Sequence, residues 1–217
     1  HLILDGVFVV EKSNTRGQWQ VWFMIIMLGG VIALGFLIYP KTEDQRNSLL
    51  SKLGTTNHGN FIVPPVSIKD LNLKSVDGQI WDFSDKKPKW RLIIAGDQEC
   101  SDQCRELLYL TRQVHISLGK YSRRFERLYI SLDQTMGAEV LEFLKLNHPF
   151  LKVIHGDEKE FESMLAKTST PFYKQDIKTN RAYLVDQQGF AMMSYDLSHK
   201  GTEIIEDIEH LMKYSAQ

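Results

Sequence analysis

Cysteine is almost missing from this 217-residue chain: there are two, standing together as Cys100-Ser101-Asp102-Gln103-Cys104. With no second pair, the four-ligand set of a structural zinc site is not provided. An excess of one charge is missing as well, with 26 Lys and Arg against 27 Asp and Glu. No basic field exists to hold nucleic acid. No repeat or low-complexity tract is present, and residues 1–10 lack a starting methionine, so they read as a truncated beginning.

One long hydrophobic run is there. Residues 21–39 carry no charge, enough to cross a bilayer core of about 30 Å as a helix. Trp19 and Trp22 mark one end and Tyr39-Pro40 the other, as interfacial anchors do. A cleaved signal peptide has a shorter apolar stretch and a small-residue cleavage site. The expected organisation is a short N-terminal segment at 1–18, a transmembrane helix at 19–40, a polar connector at 41–60 and one globular domain at 61–217. Lys12 and Arg16 precede the span and Lys41, Arg46 and Lys52 follow it, so charge does not orient it. The cysteine pair favours an extracytoplasmic domain.

Beyond the connector, Val66-Ser67-Ile68-Lys69-Asp70-Leu71 alternates, and Ile80-Trp81-Asp82-Phe83 answers it across a turn at Asp77-Gly78. A buried strand at Leu92-Ile93-Ile94-Ala95 leads into the cysteines and then a helix with Leu107, Leu110, Thr111, Val114 and Leu118 on one face. Strands at 128–133 and 151–154 alternate with helices through Val140 and Leu144 and over 158–167. An irregular stretch at 168–179 precedes a hairpin of 181–185 with 190–195. A last helix is capped by Thr202, with Ile204, Ile205, Ile208, Leu211 and Met212 inward. This order predicts an α/β fold: a thioredoxin-like mixed sheet flanked by helices, with an N-terminal hairpin and one N-terminal transmembrane helix.

Two cysteines four apart, both helical, lie about 6 Å apart at Cα, and fraying the first out of the helix lets a disulfide close. Reduced, the pair is a two-coordinate or incomplete three-coordinate seat for Cu(I). Two buried, inert cysteines are the remaining reading. The helix N-terminus and Arg105 favour thiolate; Asp97, Glu99 and Asp102 oppose it.

The Cys100-x-x-x-Cys104 pair after a strand, Ile130-Ser131-Leu132-Asp133, His155-Gly156 and Tyr183-Leu184-Val185-Asp186-Gln187-Gln188-Gly189 resemble the Sco/SenC family, membrane-anchored thioredoxin-fold proteins that help assemble the copper centre of cytochrome c oxidase. In that family a histidine before the Tyr-Leu strand completes a two-cysteine, one-histidine copper site. Here Asp176-Ile177-Lys178-Thr179 stands in its place, and protonated Lys178 has no lone pair to give. His155, after a central strand, and His58, on the connector, are the substitutes considered. His115 is about 16 Å from Cys104 by helical rise, and His148, His199 and His210 read as surface or terminal residues.

The resemblance implies a thiol-disulfide oxidoreductase in cytochrome c oxidase biogenesis. Cys100, the more exposed cysteine, attacks a disulfide of an oxidase subunit or assembly factor; Cys104 resolves; and Lys178 favours thiolate. The alternatives are a Cu(I) carrier using Cys100 and Cys104 alone or with His155 or His58, and a non-catalytic accessory. The expected location is the inner (plasma) membrane, with the domain in the periplasm.

Overall fold

The computed structural model describes residues 15–38, 57–83, 88–96, 99–133, 136–170 and 181–215, with the side chains of 18–35 in the first of these. The chain divides into two compact units, His1–Thr55 and Thr56–Gln217.

The first unit contains helix α1 (Thr15–Ile38). Its 24 residues give a rod of about 36 Å, and the window Gln18–Gly35 has a mean hydropathy of 1.5 with no side chain buried. A helix apolar on all sides that buries none of them has the length and composition of a membrane span.

The second unit is built on a seven-stranded mixed sheet. The strands are β1 (Asn60–Ser67), β2 (Lys74–Ser75), β3 (Trp90–Gly96), β4 (Phe125–Ser131), β5 (Leu151–His155), β6 (Ala182–Val185) and β7 (Phe190–Tyr195), in the order β1-β7-β6-β3-β4-β5-β2. β3 and β4 are buried along their whole lengths and pair in parallel, so both read as continuous apolar runs broken only by charges near their starts. Helices α2 (Asp102–Ser117), α3 (Ala138–Asn147), α4 (Glu158–Leu165) and α5 (Gly201–Tyr214) cover the sheet. Ile93, Leu128, Ile130 and Ile154 pack on one face with Phe161 of α4. Leu92, Ile94 and Tyr129 pack on the other with Leu107 of α2 and Ile208 of α5.

Local chemistry explains the element ends. α3 stops at Asn147 because His148, which precedes Pro149, is pushed out of the helical region to φ −126°. In the β6–β7 turn, Asp186 Oδ1 accepts from the amides of Gln188 and Phe190, and Gly189 takes φ +89°. Thr202 does not cap α5: the cap lies two residues earlier, at Lys200, whose amide donates to Glu203 at 2.8 Å. That reach-back from the third helical position closes the first turn without a hydroxyl.

The Asp77-Gly78 turn forms, with Gly78 at φ +82° and Ser75 donating its amide to the Gln79 carbonyl. Its arms are shorter than the alternation suggests, Lys74 bridging Ile80 while Lys74 and Ser75 pair with His155 and Ile154 of β5. Val66 belongs instead to β1 at the opposite edge of the sheet, opposite Ala191 of β7. The register of β1 slips between Phe61 and Val66, where Pro64 and Pro65 have no amide to give, a placement tolerated at an edge.

Candidate functional site: a buried disulfide at the end of the central strand

β3 delivers the chain to the cysteines and α2 carries it away. Ser101 is the N-cap of α2 and its hydroxyl accepts from the Cys104 amide at 3.4 Å. Cys100 therefore sits one residue outside the helix, at φ +48°. This is the fraying that lets the pair close: Cys100 and Cys104 form a disulfide with their Cα atoms 5.2 Å apart. Arg105, one residue further on, donates from Nε to the Cys100 carbonyl at 3.2 Å while its guanidinium lies 4.7 Å from the centre of the Phe143 ring on α3.

The expected difference in exposure is absent. Cys100 is 1% exposed and Cys104 3%, both within the apolar cluster under α2. The cap turns Cys100 inward, so exchange with a partner requires this corner to open.

Tyr129, fully buried on β4, donates its hydroxyl to Cys104 Sγ at 3.8 Å. It reaches the sulfur because Gly96 has no side chain: a Cβ there would collide with the Tyr129 hydroxyl and lie 3.0 Å from its ring. Once the disulfide is reduced, the same hydroxyl and the first turn of α2 both stabilise a thiolate on Cys104. Tyr129→Phe is expected to make the pair harder to reduce, shifting its potential by about 30 mV to the negative side. Equilibration against a dithiol couple measures this, and an unchanged potential refutes the role.

The other candidate ligands stand apart. Gly96, Ser131 and His155 share one level across β3, β4 and β5, which puts His155 two strands from Gly96, about 10 Å. Leu151 and Val153 pack into the cysteine-side cluster and Ile154 into the opposite one, so alternation sets His155 on the cysteine face. Its Nδ1 is buried without a hydrogen-bond partner. Among the described residues no group of three or more His, Cys, Asp or Glu side chains converges as a metal site. His58 is held on α5, its Nε2 3.0 Å from Glu206 Oε2 and its amide 3.0 Å from Asp207 Oδ1. His148 is not a surface residue: it is buried against Phe143, and burial, then Arg127 and Arg112, push its pKa down to about 4. Lys178 and Asp97 lie outside the described residues.

Sequence reasoning found the cysteines and missed Gly96 and Tyr129. The available signal was a glycine ending an apolar strand beside the cysteines, with an aromatic in the next strand.

A family model described as transmembrane-like, thioredoxin-like, C-terminal domain matches residues 90–215. Among solved structures, copper-bound yeast Sco1 is similar at 20% identity and a TM-score of 0.53, over 75% of this chain and 97% of that one. BsSco, described as a member of the Sco family of cytochrome c oxidase assembly proteins with a disulfide switch, is similar at 17% identity and 0.51, over 73% and 98%. Apo Sco1 from Thermus thermophilus gives 17% and 0.54, over 73% and 99%. At these identities the likeness is one of fold. No curated protein sequence matches the chain.

Proposed function

The chain belongs to the transmembrane-like, thioredoxin-like C-terminal domain family, and from that premise we propose that it is a membrane-anchored thiol-disulfide protein of cytochrome c oxidase biogenesis. The observation that carries this reading is the Cys100–Cys104 disulfide at the end of β3, with the Tyr129 hydroxyl on one of its sulfurs. The fold likeness to BsSco and Sco1 supports the oxidase connection.

In the proposed exchange the reduced pair meets a disulfide on an oxidase subunit or assembly factor. The Cys100 thiolate attacks one partner sulfur, the partner S–S bond breaks, and its other sulfur leaves as a thiolate. Cys104 then attacks the Cys100 side of the mixed disulfide, which releases the second partner sulfur. The partner gains two electrons and the pair loses them. Tyr129 and the α2 N-terminus stabilise the Cys104 thiolate while the mixed disulfide is held on Cys100. Lys178 is assigned the cation that favours thiolate, in place of the family's histidine. Helix α1 is assigned as the single-pass anchor in the inner (plasma) membrane, with the domain in the periplasm.

Cys104→Ser in native membranes tests this. The variant is expected to accumulate a mixed disulfide between Cys100 and an oxidase subunit or assembly factor, with oxidase levels reduced. Absence of any mixed disulfide together with unchanged oxidase levels defeats the reading.

A second reading takes copper as cargo, because copper-bound yeast Sco1 shares the fold. Two reduced sulfurs are soft donors suited to Cu(I), and the unpartnered Nδ1 of His155 on the same sheet face supports assigning it as a third donor that would have to move to join them. Titration of the reduced full-length chain with Cu(I) decides it. Stoichiometric binding that needs both cysteines and weakens in His155→Ala supports a carrier; binding no tighter than in the double-serine variant refutes it.

A further inference from the structure

At the end of the sheet away from the disulfide, where β4 and β5 begin, lies a cavity of about 560 Å³. Its wall comes from the last turns of α2, the 3-10 turn Gly119–Arg124, the starts of β4 and β5, and Lys89. Arg112 is eight residues along α2 from Cys104, about 12 Å by helical rise, so this is not the cysteine site.

Its charge does not follow the chain's. The cavity is lined by the cations Lys89, Arg112, Arg123, Arg127 and Lys152 and by one acid, Glu126, in a chain whose formal net charge is −1. Glu126 is already taken, by Arg91, Lys89 and Lys152. Arg127 is 1% exposed; one of its terminal nitrogens donates to the Leu108 carbonyl at 3.0 Å, and its Nε is buried with no partner. The Nε of Arg112 is buried and unpartnered in the same way. Among the described residues neither guanidinium has an ion pair. A buried cation without a counter-charge costs several kcal/mol unless something compensates it. The imidazoles beside the cavity supply no negative charge: burial, then the Arg127 charge, lowers the pKa of both His115 and His148.

The rim is apolar. Ile116 is 64% exposed and Phe150 83%. Pro149 and Phe150 form the corner of a turn closed by the Leu151 amide on the His148 carbonyl, and Phe150 takes φ +68° at a position that normally calls for glycine. A bulky residue in that conformation costs about 1 kcal/mol or more, and here it displays an aromatic ring at the mouth of a cationic cavity.

We infer that this cavity binds a phosphate-bearing molecule, its phosphate compensating Arg127 and Arg112 and its apolar portion lying against Phe150 and Ile116. Phosphate suits the charge better than carboxylate does: a monoester carries about −1.5 to −2 at neutral pH with three acceptor oxygens, enough for two guanidiniums, whereas one carboxylate leaves a cation over. The volume lies within the roughly 300–1,000 Å³ of small-molecule sites. The phosphate can come from a free metabolite or from a lipid headgroup, and the two sources separate experimentally.

The test uses the full-length chain in uncharged detergent. Inorganic phosphate at ten times its dissociation constant is expected to raise the melting temperature by about 3 °C over sodium chloride of equal ionic strength. Arg127→Met and Arg112→Gln are each expected to abolish that rise, and Lys167→Gln, on the turn after α4, to preserve it. Arg127→Met also removes an uncompensated buried charge, so its melting temperature without phosphate should not fall; should it fail to fold, Arg112→Gln supplies the same comparison. Vesicles of phosphatidylcholine with and without phosphatidate form the second arm. Arg127-dependent binding to phosphatidate vesicles without a response to free phosphate assigns the headgroup as the source. Equal responses in wild type and both arginine variants, or stabilisation by succinate in place of phosphate, overturn the inference.

Discussion

Glu126→Gln is expected to destabilise the domain by about 3 kcal/mol, read as a lower urea midpoint with an unchanged slope. The carboxylate is 5% exposed and holds three cations: Arg91 Nε at 2.7 Å, Lys152 Nζ at 2.8 Å and Lys89 Nζ at 3.6 Å. Arg91 is itself 1% exposed, so losing this charge removes a principal counter-ion from a buried guanidinium. The effect falls at the low end for buried pairs because Lys152 and Lys89 reach solvent. The pH dependence has a definite sign. Burial alone would raise the Glu126 carboxyl, but the Lys152 and Arg91 hydrogen bonds and charges outweigh it and hold the pKa below the usual carboxylate value. Its stabilisation is therefore complete above about pH 4.3, the unfolded value, and is lost as pH falls through the lower folded one. The variant should show a shallower acid limb. A midpoint unchanged at pH 7 would remove this explanation of the charged starts of β3 and β4.

Asp207→Ala should cost a similar amount, about 2–4 kcal/mol, for a different reason. Asp207 is 3% exposed and accepts from the Gly59 amide at 2.8 Å, the His58 amide at 3.0 Å and the Tyr195 hydroxyl at 3.0 Å. The His58 amide has water as a substitute, the Gly59 amide is buried, and the Tyr195 hydroxyl, wholly buried, keeps only a 3.9 Å approach to the Met193 sulfur. Gly59 belongs to the same clasp, since a Cβ there would run into the Tyr195 ring. Hydrogen exchange at His58 and Gly59 should accelerate first and β1 should follow, while Tyr195→Phe, which leaves the carboxylate and both amides paired, should cost less. Unchanged exchange at those two amides in Asp207→Ala would show that the clasp does not hold the strand.

What the sequence reveals and what it hides divide by distance along the chain. The disulfide is legible because its cysteines are four apart in sequence and its geometry follows from the start of a helix. The β6–β7 hairpin and the end of α3 are legible because Asp186, Gly189 and Pro149 act on their immediate neighbours. The partner of β1 is not: alternation tells which residues of Val66–Leu71 share a face, but nothing local selects Ala191, more than a hundred residues away, over Ile80. Tyr129 meets Cys104 only through the parallel register of β3 on β4. His148 looks superficial beside a proline and is buried, its ring against Phe143 of α3. The cationic cavity draws its arginines from three elements, α2, the 3-10 turn and β4, each of unremarkable local composition, so no window of sequence displays it.

Among the described residues β1 has one strand partner, β7, and its preceding residues are gripped by α5. During synthesis, Ser67 emerges 123 residues before Phe190, roughly 6–25 s at 5–20 residues per second. Throughout that interval Asn60–Ser67 lacks the strand it pairs with, although Ser169 and Thr170, which bond to Val63 and Phe61, are made earlier. Its Pro64-Pro65 then has a second use: lacking two amide donors, the segment is a poor template for strands of other nascent chains. Pairing with β7 is thus what retires β1 from risk, with α5 then gripping the residues before it, and a ribosome stalled before residue 190 would present a chain whose cysteines are already made but whose sheet edge is still open.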